Sequence, residues 1–314
     1  MLKNLRFLIF FFVIPASACY SQADLNALLE EDKPAVKKVY ATFKTTKLGN
    51  AQTVEQVSKK HLDFRISHRF GNVYDATNKN PLNESFQTFL GFDQASDIRI
   101  SLDYGLSERL TVGLARSKYN RLVDGNLKYR ILTQTSDFKI PVTLVLYSSA
   151  GYLHVPTTQL YAGVAKDFPT KEAHRFNYVS QLIIASRLSS RLSVELLPGY
   201  FHRNFIRERV NTTTNEADQN GFFTLGFGAR MKLSRRVSVI ADYFYNFAAY
   251  YKNNPSVHQP LSLGVELETG GHVFSLYYTN AEALVENNYL AGSADSWRKG
   301  QVKFGFSISR TFAL

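Results

Sequence analysis

The sequence predicts an all-β protein, a transmembrane antiparallel up-and-down β-barrel of about twelve strands, and three observations carry that prediction. Runs of alternating apolar and polar residues recur along the chain. Most are about nine to thirteen residues long, which suits a bilayer crossed at a tilt better than the five or six common in soluble sheets. One turn occurs three times, as Leu106-Ser-Glu-Arg-Leu-Thr-Val112, Leu188-Ser-Ser-Arg-Leu-Ser-Val194 and Leu233-Ser-Arg-Arg-Val-Ser-Val239. Each copy leaves about three polar residues between strand-like runs, a spacing at which antiparallel neighbours join directly. Finally, the connections alternate between short and long, as in barrels with short periplasmic turns and longer outer loops.

The chain opens with Met1-Leu-Lys-Asn-Leu-Arg6, an apolar run from Phe7 to Ile14, Pro15 and Ala16-Ser17-Ala18. This pattern of charge, short apolar core and small residues reads as an export signal over residues 1–21, cleaved between Ala18 and Gln22. The apolar run is too short for a spanning helix. Cys19, the only cysteine, stands where a lipoprotein cysteine would, although Ala16 replaces the usual Leu. Residues 22–60 are expected to form a periplasmic segment. In it, Ala23 to Lys38 carries Leu25, Leu28 and Leu29 at helical spacing before Pro34, which suits a short helix or a flexible tail. Val39 to Leu48 alternates like a strand, but adding it would make the strand count odd. It is therefore placed below the barrel or inside its lumen, with a fourteen-strand barrel using 39–48 and 53–60 as the alternative.

From residue 61 to 314 the period is two. Leu62, Phe64, Ile66 and Phe70 alternate with Asp63, Arg65, Ser67 and Arg69, and Ile98, Ile100, Leu102 and Tyr104 with Arg99, Ser101 and Asp103. Successive strand side chains point to opposite faces, so each run has an apolar and a polar face. The runs are 62–70, 97–106, 110–120, 125–134, 142–152, 178–187, 192–203, 221–233, 237–247, 260–268, 272–280 and 300–312. Starting from the periplasm, the connections 107–109, 135–141, 188–191, 234–236 and 269–271 fall on one side. Those at 71–96, 121–124, 153–177, 204–220, 248–259 and 281–299 fall on the other, and all but 121–124 are long. The last run puts Val302, Phe304, Phe306, Ile308, Phe312 and Leu314 on one face, an ending similar to the signal read by the barrel assembly machinery.

Composition agrees with a barrel. There are 24 Phe and 18 Tyr against one Trp, as interfacial aromatic girdles require. Mean hydropathy is slightly negative, because only alternate strand residues face lipid. The net charge of +11 falls to +9 once Lys3 and Arg6 leave with the signal. For an exported chain this points to lipid headgroups, lipopolysaccharide phosphates or small anionic solutes, and away from nucleic acid.

Four stretches carry a family resemblance: Leu62-Asp-Phe-Arg-Ile-Ser-His-Arg-Phe-Gly71, Gly91-Phe-Asp-Gln-Ala95, Glu268-Thr-Gly-Gly-His-Val-Phe274 and Gly305-Phe-Ser-Ile-Ser-Arg310. Through them the mature chain resembles a family of outer-membrane β-barrels of Gram-negative bacteria known as a domain of unknown function. The resemblance implies the fold and the location, and carries no substrate or reaction.

No catalytic, cofactor or metal residues are assigned. Ser67 and His68 are adjacent and so point to opposite strand faces. Neither a G-x-S-x-G nor an H-E-x-x-H motif occurs. His154 and His174 could meet across a long loop, but solvated side chains are the simpler reading. Gly270-Gly271-His272 reads as a tight turn opening a strand. The lumen face is the informative surface. It is expected to carry Arg65, Arg69, Arg99, Lys128, Arg130, Arg187, Arg203, Arg230, Lys232 and Lys303 against Asp63, Asp103, Glu195, Asp242, Glu266 and Glu268. Most of these should neutralise one another in ladders, and the positive surplus favours anions in any aqueous path. Arg109, Arg191 and Arg236 recur at one turn position, where they would bind inner-leaflet phosphates or simply keep the turn soluble. The favoured function is a narrow, anion-preferring channel or small-solute porter. The alternatives are a closed barrel holding an unnamed protein partner through its loops or N-terminal tail, and a lipid-modifying barrel enzyme.

Overall fold

The computed structural model describes residues 36–270 and 272–314. The export signal, Cys19 and nearly all of the expected N-terminal helix lie outside the described residues. The strands are β1 (His61–Asn72), β2 (Ala95–Ser107), β3 (Leu110–Ser117), β4 (Leu122–Leu132), β5 (Thr143–Leu153) and β6 (Phe176–Arg187). They continue as β7 (Leu192–Arg203), β8 (Gly221–Lys232), β9 (Val237–Asn246), β10 (Leu261–Thr269), β11 (His272–Thr279) and β12 (Lys303–Ala313). Each pairs antiparallel with the next, and β12 closes on β1. Ile66, for example, stands opposite Ile100 on one side and Ile308 on the other. The barrel thus has twelve strands and not fourteen. Short helices α1 (Pro81–Gln87), α2 (Thr157–Leu160) and α3 (Glu286–Tyr289) sit in the long loops.

Alternation sorts the wall into two surfaces. Ile98, Ile100, Leu102, Leu114, Phe227 and Leu263 face outward and are exposed, while Arg99, Ser101, Gln181, Glu195 and Asp242 face inward and are buried. Near the long-loop edge the outer face is ringed by aromatics. Tyr152 packs on Phe176, Tyr200 on Phe223, Tyr245 on Phe247 and Tyr278 on Phe304, at 5.0–5.6 Å between ring centres. Such a girdle marks the level of a membrane–water interface.

The repeated turn has a backbone explanation. Ser107, Ser189 and Ser234 each accept, on Oγ, the N–H of the arginine two residues on, in all three cases at 3.2 Å. This local bond fixes the turn. The carbonyls of Arg109, Arg191 and Arg236 then accept the N–H of Arg130, Lys232 and Glu268 from a neighbouring strand, each at 2.8 Å. The three arginine side chains are exposed. In the turn between β10 and β11, Gly270 has φ +53°, a left-handed conformation that glycine adopts without a Cβ penalty.

Candidate functional site

Residues 42–57 lie inside the ring of strands. They form a small hairpin, with Leu48 N–H on the Ala51 carbonyl and Thr53 N–H on that of Thr46. Its groups bond inward-facing partners around the wall: Val57 N–H to Thr111 on β3, Ser193 on β7 to the Thr42 carbonyl, Asn50 N–H to Asp242 on β9, and Thr45 to Glu266 on β10. Phe43, Leu48, Ala51 and Val54 are buried against Val145, Ile183, Leu197 and Phe244 of the wall. Residues 42–48 therefore belong to a plug inside the barrel and add no strand to its wall. Gly49 packs closely on the wall, since a Cβ there would collide with Ser262 and touch Asp242.

A second insert enters from the long-loop edge. Between β11 and β12, residues 280–292 turn inward, with Ala281, Leu284, Val285, Glu286, Asn287 and Leu290 buried. Leu284 N–H bonds Asp97 on β2, Ser149 and Asn177 on β5 and β6 bond Asn287, and Asn246 on β9 bonds the Leu290 carbonyl. The two inserts meet at a polar latch. Lys47 Nζ lies 3.2 Å from Glu286 and 2.8 Å from the Leu284 carbonyl. Tyr289 Oη donates to Glu286 or to the Asn50 carbonyl, at 3.1 and 3.2 Å. Burial lowers the pKa of Lys47, and the Glu286 carboxylate opposes that shift.

The charged residues expected on the lumen face all occupy the inward strand parity. Only part of them form ion pairs with one another. Arg230 bridges Glu266 and Glu268 at 2.6 and 2.9 Å, and Arg65 lies 3.6 Å from Asp63. Arg99 instead holds Asp124, at 2.5 and 2.7 Å. Asp124 belongs to β4, which begins at Leu122 and not, as alternation suggests, at 125. Asp97, which precedes Arg99 on the same face, could have been found by parity. Arg203 pairs with Asp218 at the long-loop mouth, and Lys303 with Asp295. Arg187 and Lys232 sit partly exposed near the short-turn edge. Asp103 accepts from Asn126. Glu195, fully buried opposite Gly228, takes no protein hydrogen bond among the described residues.

The remaining cations are satisfied by the backbone of the inserts. Lys128 donates to the Thr46 and Thr53 carbonyls at 2.7 and 3.2 Å, and Arg130 to the Val54 carbonyl at 3.2 Å. Arg69 donates to the Gly49 carbonyl, to Asn50 Oδ1, and to the Ala281 and Ala283 carbonyls. Arg65 reaches Thr46 Oγ1 at 2.8 Å. The ladder expected to neutralise itself is thus completed by peptide oxygens, which carry only a partial negative charge. Between this wall and the plug remains a cavity of about 30 Å³, lined by Lys47, Arg65, Arg99, Ser101 and Lys128, room for about two waters. Wider clefts open at each mouth. One of about 320 Å³ includes Asn120, Asn177, Arg203 and Asn287, and one of about 300 Å³ includes Lys44, Glu55, Asp63 and Arg65.

Ser67 faces inward and bonds Ser307 at 2.7 Å, while His68 faces outward and stacks on Phe306. His174 packs against Tyr161, Phe168 and Phe205, and Tyr161 Oη lies 2.9 Å from its Nδ1. His154 lies beside Tyr152. No group of three or more potential metal ligands occurs among the described residues.

A family model described as a membrane bound beta barrel domain (DUF5777) matches residues 43–312, the plug together with the strands. No curated protein matches the chain. Among solved structures, the NanC porin is 8% identical, with 81% of this chain and 100% of that one covered and a TM-score of 0.45. The KdgM porin is 9% identical, with 80% and 99% covered and a TM-score of 0.42. The outer membrane protein Omp33 of Acinetobacter baumannii is 10% identical, with 82% and 100% covered and a TM-score of 0.37. A likeness at this level transfers no function.

Proposed function

The chain belongs to the DUF5777 family of membrane-bound β-barrel domains, and from that premise we propose that it is an outer-membrane conduit for small anions, closed by residues 42–57. The observation that carries this reading is the pairing of Arg65, Arg69, Lys128 and Arg130 with oxygens of the inserts. Withdrawing the plug would uncover Arg69, Lys128 and Arg130, none of which is ion-paired with a wall carboxylate among the described residues, while Arg65, Arg99 and Arg230 keep Asp63, Asp124 and Glu266. A lumen lined in this way favours anions. The clefts at the two mouths would serve as vestibules. With the long loops outside, Arg109, Arg191 and Arg236 would meet phosphates of the inner leaflet.

The apolar packing of Phe43, Leu48 and Val54 favours a second reading, a barrel closed permanently for a structural role. Planar-bilayer conductance separates the two. The mature chain lacking residues 23–60 is expected to give steps with a chloride-selective reversal potential in a KCl gradient, while the intact chain gives few. Silence from the shortened chain, with β-rich circular dichroism and heat-modifiable migration retained, would leave the structural reading.

A further inference from the structure

The loop between β1 and β2 presents its apolar side outward and its polar side inward. On α1 and the turn after it, Leu82, Phe86 and Phe89 form one stripe at helical spacing, exposed to 68, 75 and 69%. On the other side, Ser85 is buried, and Glu84, Ser85 and Thr88 line a polar cleft with Asp75, Asn78 and Gln94. Phe89 and Leu90 adopt left-handed φ of 47° and 55°, a conformation that bulky residues rarely accept. Next to water this arrangement is inverted, because an amphipathic helix turns its apolar face away from water.

The lipid-facing wall identifies the missing neighbour. Phe92, in the same loop, lies 4.8 Å from Phe70 of β1 and 5.5 Å from Phe304 of β12, ring centre to ring centre, and 5.8 Å from Phe89. Phe304 in turn packs on Tyr278 of the girdle. Gly71 N–H bonds the Gly91 carbonyl at 2.9 Å and ties the loop to the end of β1. The stripe is therefore continuous with the aromatic girdle, at the β1–β12 seam where the barrel closes.

We propose that this loop is a membrane-docking element, its Leu82–Phe86–Phe89 stripe sunk among lipid acyl chains at the interface beside the closing seam. Interfacial helices bury such a face at the headgroup–acyl boundary. The proposal rests on the barrel being membrane-bound and holds whether or not the lumen conducts.

The test places one tryptophan in the stripe. Trp297 is the only native tryptophan, so Phe86→Trp is made in full-length chain carrying Trp297→Phe. The protein is reconstituted in phosphatidylcholine vesicles whose chains are brominated near the headgroup. Lys166→Trp, at an exposed site in the β5–β6 loop, is the control. The expected result is a blue-shifted Phe86→Trp emission quenched to about half or less, with the control unquenched. An unquenched Phe86→Trp in folded protein would overturn the proposal, whether its emission is red-shifted by water or blue-shifted by packing on this chain or a second copy of it. Equal quenching at both sites would also overturn it.

Discussion

Residues 42–57 meet the barrel wall largely through peptide groups, whereas residues 280–292 meet it through the Asn287 side chain, through backbone groups of Ala281, Ala283, Leu284 and Leu290, and through the strands that hold them at both ends. In the first case the wall supplies charged side chains and the insert supplies carbonyls: Lys128 on Thr46 and Thr53, Arg130 on Val54, Arg69 on Gly49. In the second, Arg69 and Asp97 hold the Ala281 and Ala283 carbonyls and the Leu284 N–H, and neutral amides and hydroxyls make further bonds, as Asn287 does with Asn177 and Ser149. Losing the first insert would bare charge to entering water, which solvates it. Losing the second would strand Asn177, Ser149 and Asn246 together with Asp97, and would pull on β11 and β12, to which both its ends are joined. On the proposed reading, 42–57 is the removable stopper and 280–292, joined to β11 and β12, a fixed part of the wall.

Breaking the latch should have the largest effect. Lys47→Met leaves Glu286, which is fully buried, without its cation. Losing one partner of a buried pair costs about 3 kcal/mol, which raises the plug-released fraction on the order of a hundredfold. Full-length Lys47→Met should therefore show frequent bilayer steps. A somewhat smaller effect is expected of Gly49→Val, whose side chain meets Ser262 and Asp242; overpacking of this kind costs about 2 kcal/mol. It should open the same conductance without changing its selectivity.

A graded effect of pH follows from Glu55, whose carboxylate accepts the N–H groups of Thr42 and Phe43 at 2.9 and 2.8 Å. Burial pushes its pKa up from 4.5 to about 7, against the pull of those bonds and of Arg130 and Lys128. A raised carboxyl pKa means that the neutral form is the one that suits the docked plug. Its contribution to docking is complete below 4.5 and is lost as pH rises through about 7. Intact protein should open more often at about pH 8 than at about pH 5, and Glu55→Gln should flatten that dependence. The smallest change in opening is expected of Asn287→Ala. It loses bonds to Asn177 and Ser149 and so lowers thermal stability by about 1–2 kcal/mol, yet should leave the barrel as closed as before.

The barrel was legible in the sequence because a bilayer imposes a two-residue period on every strand. β7 spans 192–203 as read from alternation, and the other strand ends fall within about three residues of their expected positions. The lumen was legible only in part. Parity tells which side Lys128 or Arg69 points to, but not which group it meets there. Their partners are carbonyls of residues 46–54 and 281–283, and a carbonyl is the same at every residue, so it leaves no mark in side-chain pattern. Asp124 was missed by an error of three residues in the start of β4. Glu286 was missed because the segment after β11 reads as an outer loop, and only its run Ala281-Glu-Ala-Leu-Val285 hints at burial.

The most direct test of a removable stopper is thiol reactivity inside the lumen. Ser101 faces inward on β2, is 6% exposed and lines the small cavity beside the plug. With Ser101→Cys in a chain in which Cys19 is replaced by Ser, anionic and cationic methanethiosulfonates of equal size are applied to intact protein and to protein lacking residues 23–60. The account predicts near-inertness in the intact barrel and rapid modification in the shortened one, faster with the anionic reagent. Equal modification of both forms, or a faster cationic reaction in the shortened barrel, would contradict it.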